Sequence, residues 1–129
     1  MKKRIRSLLM TLLCVVTVFS CFGFAWADPQ PAAVSQSTIS LAPGSDETSV
    51  GVNWYANTTD AGKVTYAPTS ELTSDGQLPS TAKTVDAATG AANKTGYNYF
   101  KATLTDLAPA TSYSYTLTNG DTVSPVYHF

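Results

Sequence analysis

The residues able to do chemistry are few and scattered. His128 is the one histidine, and it stands between Tyr127 and Phe129 in what reads as the last strand. Nucleophilic catalysis needs a base beside the nucleophile, and metal-assisted hydrolysis needs several His, Asp or Glu ligands converging on one ion. His128 has no such company, so its plain reading is a surface residue on a β edge. The carboxylates Asp46-Glu47, Asp60, Glu71, Asp75 and Asp121 are dispersed over turns, where solvation explains them. No paired acids, phosphate-cradling glycine loop or metal-ligand spacing stands out. No residue is therefore assigned a catalytic, cofactor-binding or metal-ligating role, and no cofactor is expected in this chain.

Aromatic side chains offer a second kind of chemistry, stacking. Trp54, Tyr66, Tyr113 and Tyr115 fall on an inward period and are expected in the core, whereas Tyr55, Tyr97 and Tyr99 are expected to face outward as a candidate interaction surface. Asn57-Thr58-Thr59 and Asn93-Lys94-Thr95 match glycosylation sequons, which matter only in a eukaryotic secretory pathway.

The elements that must position these groups are strands. Ile39 and Leu41, then Val50, Val52 and Trp54, then Val64 and Tyr66 alternate with polar residues at a period of two. Turns follow each group: Pro43-Gly44-Ser45-Asp46, Asn57 to Gly62, and Pro68-Thr69-Ser70. Glu71 to Thr95 is the least patterned region and reads as loop plus one edge strand around Lys83-Thr84-Val85. Phe100, Ala102 and Leu104 resume the alternation, followed by Leu107 and by Tyr113, Tyr115 and Leu117 on one face. Asn119-Gly120 predicts a type I′ hairpin turn, so the final strand, Val123 to Phe129, is expected to pair antiparallel with 113–117. Pro125, lacking an N–H, confines that strand to an edge or a bulge. About seven short strands and no helical period predict an all-β, immunoglobulin-like or fibronectin type III-like antiparallel sandwich.

The first 27 residues read as a signal peptide, with a basic start at Lys2, Lys3, Arg4 and Arg6, an apolar stretch from Leu8 to Phe24, and Ala25-Trp26-Ala27 for cleavage. A retained membrane anchor is the rival reading, the apolar run of about 17 residues being at the short limit for a bilayer. A lipoprotein would use Cys21, but Phe19 is bulky for that site. Residues 28–37 (DPQPAAVSQS) read as a flexible linker, and 38–129 as the single domain. Both cysteines, Cys14 and Cys21, fall in the leader, so the mature chain holds neither a disulfide nor a thiolate metal site. It keeps four lysines against nine carboxylates, a net charge of −5. Such a balance is unsuited to nucleic acid or anionic membrane surfaces, and with the leader it implies a secreted or cell-envelope protein without membrane contact after cleavage.

Leu107-Ala108-Pro109-Ala110-Thr111-Ser112-Tyr113 matches the L-x-P-x-T-x-Y pattern of fibronectin-type sandwiches, in which the tyrosine hydroxyl reaches back to upstream backbone and pins a corner between the sheets. Taken with Ser49 to Trp54, Phe100 to Tyr113 and the closing Ser124-Pro125-Val126-Tyr127-His128-Phe129, the chain from about Ser37 onward resembles the N-terminal fibronectin type III-like domain of purple acid phosphatases and related secreted metallophosphoesterases. That resemblance implies a separate C-terminal catalytic domain as partner, hydrolysing phosphate monoesters at a two-metal centre held by Asp, Asn, His and Tyr. None of its ligand motifs occurs here, and Phe129 falls about where the family's linker to that domain begins. The leading expectation is thus a non-catalytic N-terminal sandwich of an exported metal-dependent acid phosphatase, present as a partial chain. The alternative is a free-standing secreted sandwich that binds a glycan, a cell-wall polymer or a protein. Fold analogy alone does not choose between them.

Overall fold

A computed structural model describes residues 32–129; the leader, its cleavage site and the start of the linker, residues 28–31, lie outside the described residues. Alternating apolar residues build nine antiparallel strands: β1 (Gln36–Pro43), β2 (Val50–Ala56), β3 (Gly62–Pro68), β4 (Lys83–Asp86), β5 (Ala88–Ala91), β6 (Asn98–Leu104), β7 (Tyr113–Asn119), β8 (Thr122–Val123) and β9 (Tyr127–His128). They form two sheets. One has the order β1-β2-β6-β5; the other has β4-β3-β7-β8, with β9 also on β7. The fold is the expected all-β sandwich, with its two smallest strands raising the count above seven.

The inward period holds where it was expected. Val52, Trp54, Phe100, Leu104, Val64, Tyr66, Tyr113, Tyr115 and Leu117 are all buried in one cluster between the sheets. Trp54 stacks on Phe100 with ring centroids 5.3 Å apart and planes at 16°. Gly62 makes room for them, since a Cβ there would stand 2.5 Å from Phe100 and 3.0 Å from Trp54. Leu41 departs from its expected place and is 41% exposed. Its strand is an edge, and the register slips between Ser37 and Ser40, where Thr38 takes a φ of 52°. The strand itself opens at Gln36, ahead of the expected start near Thr38, and Asn57 ties down the residues before it: its Oδ1 accepts from the Ser35 N–H at 2.5 Å and its Nδ2 donates to Ala33 O at 3.2 Å.

Three further readings are corrected. The region 71–95 contains two edge strands rather than one: β4 extends the second sheet beside β3, and β5 extends the first beside β6. Ala88-Thr89-Gly90-Ala91 carries no large apolar side chain, so no period announces it. The hairpin turn is Gly120-Asp121 rather than Asn119-Gly120, because Asn119 still pairs with Thr122 in the ladder. Positive φ, at 55°, falls on Gly120 and not on Asn119, the pattern of a II′ turn with glycine first. The last strand is split. β8 and β9 both pair with β7, and between them Ser124-Pro125-Val126 leaves the ladder as Pro125 requires. Ser124 covers the gap, its N–H donating to Leu117 O and its Oγ accepting from the Leu117 N–H, both at 2.8 Å.

Polar contacts also join the sheets, two of them prominent. Tyr113 makes the expected corner, its hydroxyl accepting from the Ala108 N–H at 2.8 Å. Asn119, wholly buried, accepts the Trp54 Nε1–H at 2.9 Å and the Gln36 Nε2–H at 3.0 Å through the same Oδ1. An indole N–H taken into a core needs such a partner, because leaving it bare costs about 1–3 kcal/mol. Nothing in the turn signature of Asn119-Gly120 points to this role.

Tyr115 packs against Tyr127 and Phe129 at 5.5 and 5.8 Å. Burial, and secondarily Tyr127, raises its pKa above the usual 10.0. The folded chain then holds this proton where the unfolded chain has lost it. The stabilisation is complete below about pH 10 and is lost as pH climbs through the folded-state value.

Three outcomes follow. Tyr113→Phe should cost about 1 kcal/mol or somewhat more in denaturant titrations, since it strands the Ala108 N–H. Asn119→Ala should cost about 1–3 kcal/mol and shift the Trp54 fluorescence, whereas unchanged emission would remove Asn119 from its bridging role. Melting temperature should fall as pH rises above about 10, and Tyr115→Phe should flatten that fall.

Candidate functional site

The strongest catalytic-looking contact is a serine against the histidine. Ser114 Oγ lies 2.8 Å from His128 Nδ1, and 2.9 Å from Thr69 Oγ1 on its other side. β7 and β9 bring them together through the pairing of Ser114 with His128. Ser114 is completely buried, however, so no carbonyl could approach it. Among the described residues neither Asp nor Glu is bonded to the imidazole to orient it as a base. The chain Thr69–Ser114–His128 fastens the last strand to the 3-10 turn Thr69–Glu71, a structural task.

A pocket of about 210 Å³ lies against Tyr66, Pro68, Glu71, Lys83, Asp106 and Tyr113. Several of its polar groups are already engaged: Tyr66 Oη donates to Thr105 O at 3.1 Å, Tyr113 Oη accepts from the Ala108 N–H, and Lys83 Nζ is 3.9 Å from Asp106. Among the described residues no group of three or more His, Cys, Asp or Glu side chains is placed to hold a metal. The donor set of these residues therefore does not fit a two-metal centre, and no step of metal chemistry is derived from it.

What remains is the outer face of the first sheet. Because β2 and β6 pair in register, their outward residues stand in rows. Tyr55 is directly opposite Tyr99, Asn53 opposite Lys101, and Gly51 opposite Thr103. The flanking strands continue those rows with small residues. Ser37 and Gly90 flank the tyrosines, Ser40 and Ala88 flank Asn53 and Lys101, and Ala42 lies beside Gly51. Two open hollows result, of about 280 Å³ beside Ser40, Asn53, Tyr55, Tyr99 and Lys101 and about 410 Å³ beside Ala42, Gly51, Asn53 and Lys101.

Of the three tyrosines expected to face outward, Tyr55 and Tyr99 thus meet on this face, and Tyr99 is 42% exposed. Its ring lies across Gly90, where a Cβ would come within 2.6 Å of it. Tyr97 is in the β5–β6 turn, outside the ladder, with the Lys94 ammonium 3.7 Å from its ring centre. Asn53 and Lys101 were missed in the sequence; their signal is the same period of two that sets Trp54 and Phe100 inward, read from the other side. The sequon residue Asn57 has its amide engaged with Ser35 and Ala33, whereas Asn93 is exposed in the β5–β6 turn.

Comparison with known proteins supplies the family context. The family model described as "Purple acid Phosphatase, N-terminal domain" matches residues 36–129. No curated protein matches the chain. Among solved structures, purple acid phosphatase PPD1 from yellow lupin (Lupinus luteus) seeds is similar with a TM-score of 0.56 at 19% identity, over 74% of this chain and 19% of that one. The chain thus spans less than a quarter of the lupin enzyme's length, and the likeness is one of fold. The sensor domain of the anti-sigma factor RsgI4 in Pseudobacteroides cellulosolvens gives a TM-score of 0.49 at 21% identity, over 75% of this chain and 87% of that one.

Proposed function

The chain belongs to the family of purple acid phosphatase N-terminal domains, and from that membership we propose that it serves as the non-catalytic front domain of an exported, metal-dependent phosphatase. The match over residues 36–129 carries the reading, because it takes in the whole sandwich from the first residue of β1 to the last aromatic of the core. In this reading hydrolysis of phosphate monoesters belongs to a C-terminal metallophosphoesterase domain. Among the described residues the one Ser–His contact is buried and no acids converge, so this reading places no reaction step on them. Export is supported by the leader signature at residues 1–27.

The role that suits these residues is positional. A sandwich whose core is closed by Tyr113 and Asn119 presents rigid surfaces, and Tyr113 N–H and O exchange bonds with Phe129 O and N–H at 2.9 Å each. That pairing holds the chain's last residue to the central strand, so anything joined beyond it leaves the sandwich from a fixed point. Purified chain should fold, as judged by a cooperative melt, yet release no p-nitrophenol from p-nitrophenyl phosphate with added iron, zinc or manganese. Metal-dependent turnover that survives removal of contaminating phosphatase would overturn the assignment.

A further inference from the structure

The outward face of the β1-β2-β6-β5 sheet combines features that a corner-and-core account leaves unused. Tyr55 and Tyr99 are paired across its two inner strands, one step from the end of their ladder, and the Tyr99 ring is laid across Gly90 instead of standing free. A ring held against backbone loses little freedom when a flat apolar surface settles on it, which is what a stacking platform requires. The residues paired beside them and beside the next row, Ser37, Gly90, Ser40 and Ala88, are all small, and the hollow next to the pair is bordered on the β1 side by Thr38 and Ser40. The next row supplies the polar part, an amide at Asn53 and an ammonium at Lys101.

Lys101 is the telling residue. Lys63 pairs with Asp86 at 3.8 Å, Lys83 pairs with Asp106 at 3.9 Å, and Lys94 rests on Tyr97. Among the described lysines, only Lys101 has neither an ion pair nor an aromatic ring to rest on, and the paired rows of its face contain no carboxylate. An occupant of this face therefore has an apolar surface about the width of a sugar ring for Tyr55 and Tyr99, hydroxyls for Asn53 and Ser40, and one negative charge for Lys101. We propose that this face binds an acidic polysaccharide through a uronate unit, with its pyranose ring on the tyrosine pair and its carboxylate on Lys101. The proposal is independent of the phosphatase reading, because no residue of the face takes part in the domain's corner or its core.

Affinity electrophoresis of the purified chain tests it, with polygalacturonate in the gel and its fully methyl-esterified form as the uncharged counterpart. The wild-type chain should be retarded by polygalacturonate and at least about fivefold less by the ester. Tyr55→Ala and Tyr99→Ala should each weaken retardation about tenfold, the loss of one stacking contact of roughly 1.4 kcal/mol. Tyr99→Phe should retain it, since the ring and not the hydroxyl does the stacking. Lys101→Met should abolish the preference for the acid form and leave binding to the ester unchanged. All four variants should still melt cooperatively, so that a loss of retardation is not a loss of folding. Absence of retardation, equal retardation by both polymers, or Tyr99→Ala binding like wild type would overturn the proposal, as would self-association through this face in sedimentation with no response to either polymer.

Discussion

The bond from the Trp54 indole to Asn119 is the constraint on which the sandwich most depends. Apolar contact between two sheets is strong but non-directional, so by itself it fixes their separation better than their alignment. Residues 32–129 include no cysteine to fix that alignment. Trp54 comes from β2 of one sheet and Asn119 from the end of β7 in the other, and Gln36 of β1 adds a second donor to the same oxygen. Sliding either sheet by one residue pair would leave an indole N–H and the Asn119 amide buried without partners, a penalty comparable with a large part of a small domain's stability. Gly62 and Phe100 follow from that placement: the indole can reach Asn119 only where Phe100 stacks below it and where no Cβ intrudes from β3.

That placement also determines the outer face. In a pleated strand the residues beside Trp54 must point the other way, and the β2–β6 register that brings Trp54 to Phe100 necessarily brings Tyr55 to Tyr99. Core and surface are thus two readings of one register. The tyrosine pair is set as firmly as the core stack, although it contributes little to burial.

How far the sequence reveals this depends on whether a residue's environment is carried by its neighbours in the chain. Strands β2, β3, β6 and β7 are legible because each alternates large apolar with polar residues over several positions. The corner is legible because Leu107, Pro109 and Tyr113 occur at fixed spacing and the hydroxyl's partner is only five residues away. Asn119 is not legible. Its partners are 65 and 83 residues distant, and locally it imitates a turn residue. Of the two further edge strands, β4 is legible at Lys83-Thr84-Val85, whereas β5 escapes notice for a different reason: it has a neighbour on one side only and buries little, so no alternation marks its sequence. The same edge position explains why Leu41, though opposite Val52 and on the core side, is left half in water.

The net negative charge of the chain bears differently on nucleic acids or anionic membranes and on one uronate unit of an acidic polysaccharide. Nucleic acids and anionic membranes reward many cations along a surface, and four lysines of which three are already engaged offer no such array. A uronate presents one carboxylate at contact distance. At physiological ionic strength the Debye length is about 8 Å, so carboxylates on the far sheet and its loops are largely screened from the outer face, while a charge in contact with Lys101 is not. Local charge therefore decides recognition on this face, and the surrounding carboxylates act mainly to keep the domain soluble and to reject longer-range, less specific anionic surfaces.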